Sequence, residues 1–143
     1  MSDSATKADY TDWNRRIIEE FRANGGTVAG QFEGAPLLLL TTTGAKTGAR
    51  HTTPVMFYEE GGRRYVFASK AGAPTHPDWY HNLVADPVVT VEVGAETFDA
   101  RAELVTGDER DRIYRTQAER YPGFAEYEEK TTRTIPVVAL DPI

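Results

Sequence analysis

Gly61-Gly62 and Gly94-Ala95 each interrupt two runs rich in β-branched and aromatic residues. A glycine-bearing dipeptide between short apolar runs reverses the chain at once, so the flanking strands pair antiparallel. The first hairpin joins Thr52–Glu59 to Arg64–Ser69, and the second joins Val88–Val93 to Glu96–Val105. In the last of these, Phe98, Ala100, Ala102 and Leu104 alternate with Thr97, Asp99, Arg101 and Glu103. That period of two gives the strand one dry face and one wet face.

Three more strands are expected. Pro36–Thr43 is a continuous apolar run ending in threonines, the pattern of a buried strand. Thr27–Glu33 is a short β-prone segment, and Thr134–Leu140 is the last strand, with Pro136 placing it at an edge or a bulge. About seven strands arranged in hairpins, without strand–helix–strand alternation, predict a mainly antiparallel α+β fold. A sheet or small barrel with peripheral helices fits; a doubly wound parallel sheet does not.

Tyr10, Trp13, Ile17, Ile18 and Phe21 recur at helical spacing and predict an amphipathic helix over residues 9–24, ended by Asn24-Gly25-Gly26. Core packing is the plain reading of its apolar stripe. Trp and Phe beside arginine also suit a membrane interface, so a peripheral membrane contact is a second expectation. Pro77 opens a short helix with Trp79, Tyr80, Leu83 and Val84 as its apolar side, and Pro87 stops it. Thr106 and Glu109 form a capping-box pattern that opens a helix to about Arg120. Pro122 breaks it, and a short helix to about Lys130 follows.

The 143 residues predict one domain over 1–143, with 1–12 a polar, flexible tail. No cysteine is present, which excludes a disulfide scaffold, a thiolate metal site and a cysteine nucleophile. The net charge of −6 gives no basic footprint for nucleic acid, so any anionic ligand needs a local basic cluster. The longest aliphatic run, Leu37–Leu40, is far short of a membrane span. With no apolar signal segment, a cytoplasmic location is expected.

Common catalytic constellations fail. Gly44-Ala45-Lys46-Thr47-Gly48 is not a Walker A loop. The serines are Ser2, Ser4 and Ser69, and nothing around Ser69 resembles a nucleophile elbow. His76 and His81, five residues apart, would not share a helix face, and no metal site is expected. One constellation survives. Lys46, Thr47, Gly48, Arg50, His51, Thr52 and Thr53 lie within eight residues between two strands. Glycines let backbone N–H groups face an anion, hydroxyls donate, and Lys or Arg supply charge. The bland reading is a solvated hairpin loop. A second anion-friendly segment, Ser69–Ala73, precedes the helix opened by Pro77. Two such loops at the ends of adjacent strands suit a phosphorylated, extended cofactor. Trp79 and Tyr80 could flank its flat ring; the plain alternative makes each a core anchor.

Five ordered motifs carry a resemblance: Leu39–Gly48, Thr52-Thr53-Pro54-Val55, Ala68–Ala73, Pro77–Leu83 and Arg133–Val137. Over about Trp13 to Pro142 the chain resembles the deazaflavin-dependent nitroreductase and quinone reductase family of actinobacteria, which uses coenzyme F420. The resemblance implies a split β-barrel, related to the FMN-binding oxidases of pyridoxamine phosphate. It implies that Ala45, Lys46 and Thr47, with Arg50 and the segment His51, Thr52, Thr53, Pro54, Val55 and Met56, hold the cofactor's phosphate and ring side. Phe67, Ala68, Ser69 and Lys70, with Asp78, Trp79, Tyr80, His81 and Asn82, would complete the groove, and an oligoglutamate tail would follow a basic surface. His51 stands where many members carry arginine, which weakens phosphate attraction there. Met56, Phe124 and Tyr127 match substrate-pocket positions. The changes to Met56 and Phe124 remove hydroxyls found in the nitro-prodrug-activating member, which counts against nitroimidazole activation.

The implied reaction is hydride transfer from the reduced deazaflavin's ring carbon five to a small conjugated acceptor: a quinone, an enone or lactone, or a nitroaromatic. Ser69 would hydrogen-bond near the reacting atoms, and Tyr121 and Tyr127 would cover the site as catalytic residues. Rival readings are a non-catalytic deazaflavin carrier and an FMN-dependent reductase of the same fold. A monomer and a homodimer both fit.

Overall fold

Both glycine turns close into hairpins. The structure, a computed structural model, describes residues 7–26, 28 and 36–143, with the backbone alone for residues 7–13 and 71. The elements are α1 (Lys7–Ala23), β1 (Leu37–Thr43), β2 (Arg50–Glu60), β3 (Arg63–Phe67), a 3-10 turn at Lys70–Gly72, α2 (Asp78–Ala85), β4 (Val88–Val93), β5 (Glu96–Val105), α3 (Gly107–Arg120), α4 (Gly123–Lys130) and β6 (Val137–Pro142). Every strand pair is antiparallel, and the order β1-β2-β3-β6-β5-β4 closes on itself as a barrel. The strand expected at Thr27–Glu33 lies outside the described residues, apart from Val28.

Alternation along the strands sorts the apolar side chains into an inner core and outer layers. Leu38, Leu40, Val66, Val89, Val91, Ala100, Val138 and Leu140 fill the barrel, and Trp79 and Leu83 of α2 join them. Tyr65, Phe67, Val137 and Ala139 point outward and are covered by Ile113 and Tyr114 of α3 and Phe124 of α4. Leu37 and Leu39 point outward beneath Phe21, with Ile17 and Ile18 beside them. This part of the α1 stripe is therefore spent on the barrel. Burying Phe21 contributes about 1.5–3 kcal/mol. Gly26 ends α1 at φ 101°, and a Cβ there would lie 2.6 Å from the Gly94 Cα, so only glycine lets the helix end dock on the β4–β5 turn. No helix among the described residues is long and apolar enough to cross a membrane.

Three local expectations need correction. α1 begins at Lys7, inside the stretch expected as a tail. Thr106 does occupy the N-cap of α3, but its side chain makes no capping bond. Glu109 lies instead 3.7 Å from the Arg63 guanidinium, a charged partner that draws it from the box. Pro136 marks neither an edge nor a bulge. It precedes β6, which lies between β3 and β5, and its carbonyl accepts from the Ala68 N–H at 3.0 Å.

The barrel is open at one seam. β3 pairs only with Phe57–Glu60 of β2, so among the described residues Arg50–Met56 has β1 as its one strand neighbour. The Phe57 N–H donates to Pro36 on the β1 side at 3.1 Å. Backbone alternation then turns the even residues of this half toward the free edge. Pro54 is one of them, so its missing N–H costs no ladder bond.

Candidate active site

The β1–β2 loop, 44–49, stands at the head of this free edge. Gly44 donates to the Ala49 carbonyl at 2.7 Å and Gly48 to the Gly44 carbonyl at 2.9 Å. The Ala49 N–H is held by Thr47 Oγ1 at 3.2 Å. Asn82, buried on α2, accepts from the Ala45 N–H at 3.0 Å and donates to Thr42 Oγ1 at 3.1 Å. That amide ties the loop to the helix that plugs the barrel. The N–H groups of Lys46 and Thr47 have no backbone or side-chain acceptor among the described residues, and the Lys46 ammonium makes no ion pair there. Two adjacent free amides beside a free ammonium form an anion cradle.

On the far side of the opening lies the segment 68–76. Arg133 holds it with four bonds: Nε to the Ala73 carbonyl at 2.8 Å, Nη1 to the Ala68 carbonyl at 3.1 Å and to His76 Nδ1 at 3.0 Å, and Nη2 to the Ser69 carbonyl at 2.6 Å. Burial pushes the Arg133 pKa down. Lys70 adopts φ 47°, a left-handed backbone rarely used by side-chain-bearing residues, and its Nζ reaches Thr75 Oγ1 at 3.2 Å. The Ser69 hydroxyl makes no hydrogen bond among the described residues. His76 meets Tyr80 at 4.7 Å and His81 at 5.8 Å between ring centroids. The two histidines therefore do come together, because His76 precedes α2 and is not part of it. Among the described residues no three His, Cys, Asp or Glu side chains form a group that could hold a metal.

α4 walls the lower end. Phe124 packs on Phe67 at 5.6 Å and on Tyr127 at 5.3 Å, and Tyr114 fixes α4 by donating to the Phe124 carbonyl at 2.7 Å. Met56 touches both the layer under α3 and α4 and the layer under α1. The outer face of β2 is therefore a floor between helices. From Thr52 to Met56 it spans about 13 Å at strand rise, leading from the anion cradle to Met56, Tyr121 and Tyr127.

The expected site residues do not all reach this floor. Alternation puts Thr52, Pro54 and Met56 on it, while His51, Thr53 and Val55 share the inward face of Thr42 and Leu40. His51 caps the barrel mouth, with Nε2 3.1 Å from where a Gly44 Cβ would stand. Arg50 turns away, donating to Thr43 at 2.8 Å and to Thr90 at 2.7 Å. Trp79 is 8% exposed within the barrel core, so the core-anchor reading holds for it. Phe67, Ala68 and Phe124 are also buried. Asp78 and His81 are exposed on α2, and Tyr80 is half-buried. Arg133 and Gly72 both fall in motifs legible in the sequence, but neither shows its structural role there. A Cβ on Gly72 would lie 2.9 Å from the Tyr127 carbonyl oxygen, so α4 packs directly on the Ser69–Ala73 segment.

Known proteins resemble this chain in sequence and fold. An F420H(2)-dependent quinone reductase of Mycobacterium tuberculosis is 38% identical over 124 residues, which are 84% of this chain and 83% of the relative. A solved F420-H2-dependent reductase is 43% identical with a TM-score of 0.68, covering 74% of this chain and 94% of that one. A solved structure described as a domain-swapped dimer is 37% identical with a TM-score of 0.70, covering 95% of this chain and 100% of that one. The model of the F420H(2)-dependent quinone reductase family matches residues 13–142. The chain thus belongs to the F420H(2)-dependent quinone reductase family, split-barrel oxidoreductases that use coenzyme F420.

Proposed function

We propose that this chain reduces quinones in the opening between the free edge of β2 and the Ser69–Ala73 segment, with F420H2 as reductant. The observation that carries the reading is the continuous floor from the Lys46–Thr47 cradle to Met56, Tyr121 and Tyr127. When bound, the reduced deazaflavin supplies the hydride. The residues do the rest. The free amides of Lys46 and Thr47, with the Lys46 ammonium, hold the phosphate. Lys70 and His81 lie in elements bordering the opening and add positive or polar character for an anionic tail. Arg133 keeps the Ser69 segment in one position, so the Ser69 hydroxyl is free to donate to a carbonyl beside the reacting atoms. Tyr121 and Tyr127 cover the acceptor and exclude water from it. Phe124 is a packing residue beneath them. Solvent supplies the proton that completes the hydroquinone. Orientation of donor and acceptor is the main source of rate.

Anaerobic mixing of the protein with F420H2 and menadione, followed by the return of oxidised F420 absorbance, tests the reading. Turnover that scales with protein concentration is expected. Tight F420 binding without turnover would make the chain a carrier, and preferential use of FMN would make it a flavin enzyme of the same fold.

A further inference from the structure

α4 has eight residues, too few for a helix to hold its shape in water on its own. Pro122 stands at its N-cap, and no side chain caps it among the described residues. Its place therefore depends on what grips it from outside. Gly72 lets it lie on the Ser69–Ala73 segment, and the Tyr114 hydroxyl holds the Phe124 carbonyl of its first turn at 2.7 Å. A third grip is Arg110, in the first turn of α3. Its guanidinium stands 4.7 Å over the Tyr114 ring. Nε and Nη2 both donate to the Ile135 carbonyl, at 3.1 and 2.8 Å. Nη2 also reaches Glu128 of α4 at 3.4 Å, and Nη1 donates to Asp111 at 3.1 Å.

The Arg110 side chain is only 11% exposed, and arginine is rarely so enclosed unless it is paired. Its bond to Asp111 stays within α3. The bonds to Glu128 and Ile135 do not: they fasten α3 to α4 and to the stretch between α4 and β6, which also carries Arg133. Glu128 directly follows Tyr127. A planar fork of donors can serve a carbonyl and a carboxylate together, whereas a lysine ammonium is a single point charge on a flexible stem. Resting on the quinone-reductase reading above, we propose that Arg110 is a positioning residue for the acceptor. Through Glu128 and Ile135 it fixes α4, and so fixes where Tyr127 stands at the end of the floor. It touches neither cofactor nor acceptor.

The test compares Glu128→Gln, Arg110→Lys and Arg110→Gln. Glu128→Gln removes the charge pair with α4 and spares the Ile135 bonds, so it stays informative if an Arg110 variant fails to fold. Amide hydrogen exchange without cofactor, F420 titration and anaerobic kinetics with menadione are measured on each. Kinetics are taken well below the melting temperature, where lost stability alone leaves KM unmoved. The expected result is faster exchange at the Tyr127 and Glu128 amides, unchanged F420 affinity and a kcat near that of the wild type. The KM for menadione should rise about threefold in Glu128→Gln, the size of one exposed ion pair, and about tenfold in Arg110→Gln, with Arg110→Lys between. Unchanged exchange or an unchanged KM in the folded variants overturns the proposal. A loss of F420 affinity matching the rise in KM overturns it too, because α4 would then serve the cofactor. A wild type that binds F420 but leaves menadione unreduced defeats the underlying quinone-reductase reading, and this inference with it; the cofactor-free exchange tells that failure apart from failure of the Arg110 grip.

Discussion

Arg133 spends its donors on the carbonyls of Ala68, Ser69 and Ala73 and on His76 Nδ1. Because Nδ1 accepts, His76 is neutral with its proton on Nε2. Burial, the Arg133 charge and His81 all push the His76 pKa down; Tyr80 packs on the same ring. An unfolded histidine titrates near 6.5. As pH falls below about 6.5 the unfolded chain binds a proton before the folded one does, so stability declines toward the lower folded-state pKa. His76→Gln should flatten the dependence of melting temperature on pH below about 6.5. An unchanged slope would show that other groups carry it. Lys46 offers a second test at this scale. Loss of its charge-assisted bond to phosphate is worth about 1.5–3 kcal/mol, so Lys46→Ala should raise the F420 dissociation constant at least tenfold by fluorescence titration. The same constant in both proteins would remove Lys46 from the site.

At the scale of elements, α4 and the 3-10 turn behave as one unit because Gly72 lets them touch. Gly72 has φ 80° and would place a Cβ against the backbone of Tyr127. Gly61 has φ 61° with open space around it. Both substitutions to alanine meet the left-handed penalty of about 1–2 kcal/mol, but only Gly72→Ala also displaces α4. Gly72→Ala should therefore melt well below Gly61→Ala and raise the KM for menadione, while Gly61→Ala leaves KM alone. Equal melting temperatures and equal KM values would separate α4 from the site. Asn82 plays the matching part on the other side, since its one amide joins α2 to both Ala45 and Thr42.

Across the whole molecule, the hairpins were legible because turn chemistry is local: Gly61-Gly62 and Gly94-Ala95 declare themselves within a few residues. The closure of the barrel was not. The pairing of Leu39–Thr41 with Thr90–Glu92, and of β3 with β6, leaves no mark in any short window. The seam along Thr52–Met56 was equally hidden. The candidate anion loop at Lys46 and Thr47 stood out because charge, hydroxyl and glycine fall together there. The role of Arg133 did not, since its acceptors lie 57 to 65 residues away.

In the reading proposed above, F420 lies along the outer face of the β2 free edge with its phosphate on the Lys46–Thr47 amides. Amide NMR spectra of the full chain, titrated with F420, are the decisive measurement. The largest shifts are expected at Lys46 and Thr47, with a line of smaller ones through Thr52 to Met56 and further shifts at Ser69 and Tyr127. Shifts confined to the Thr43–Thr90 side of the barrel, where Arg50 points, with Lys46 and Thr47 unmoved, would contradict it.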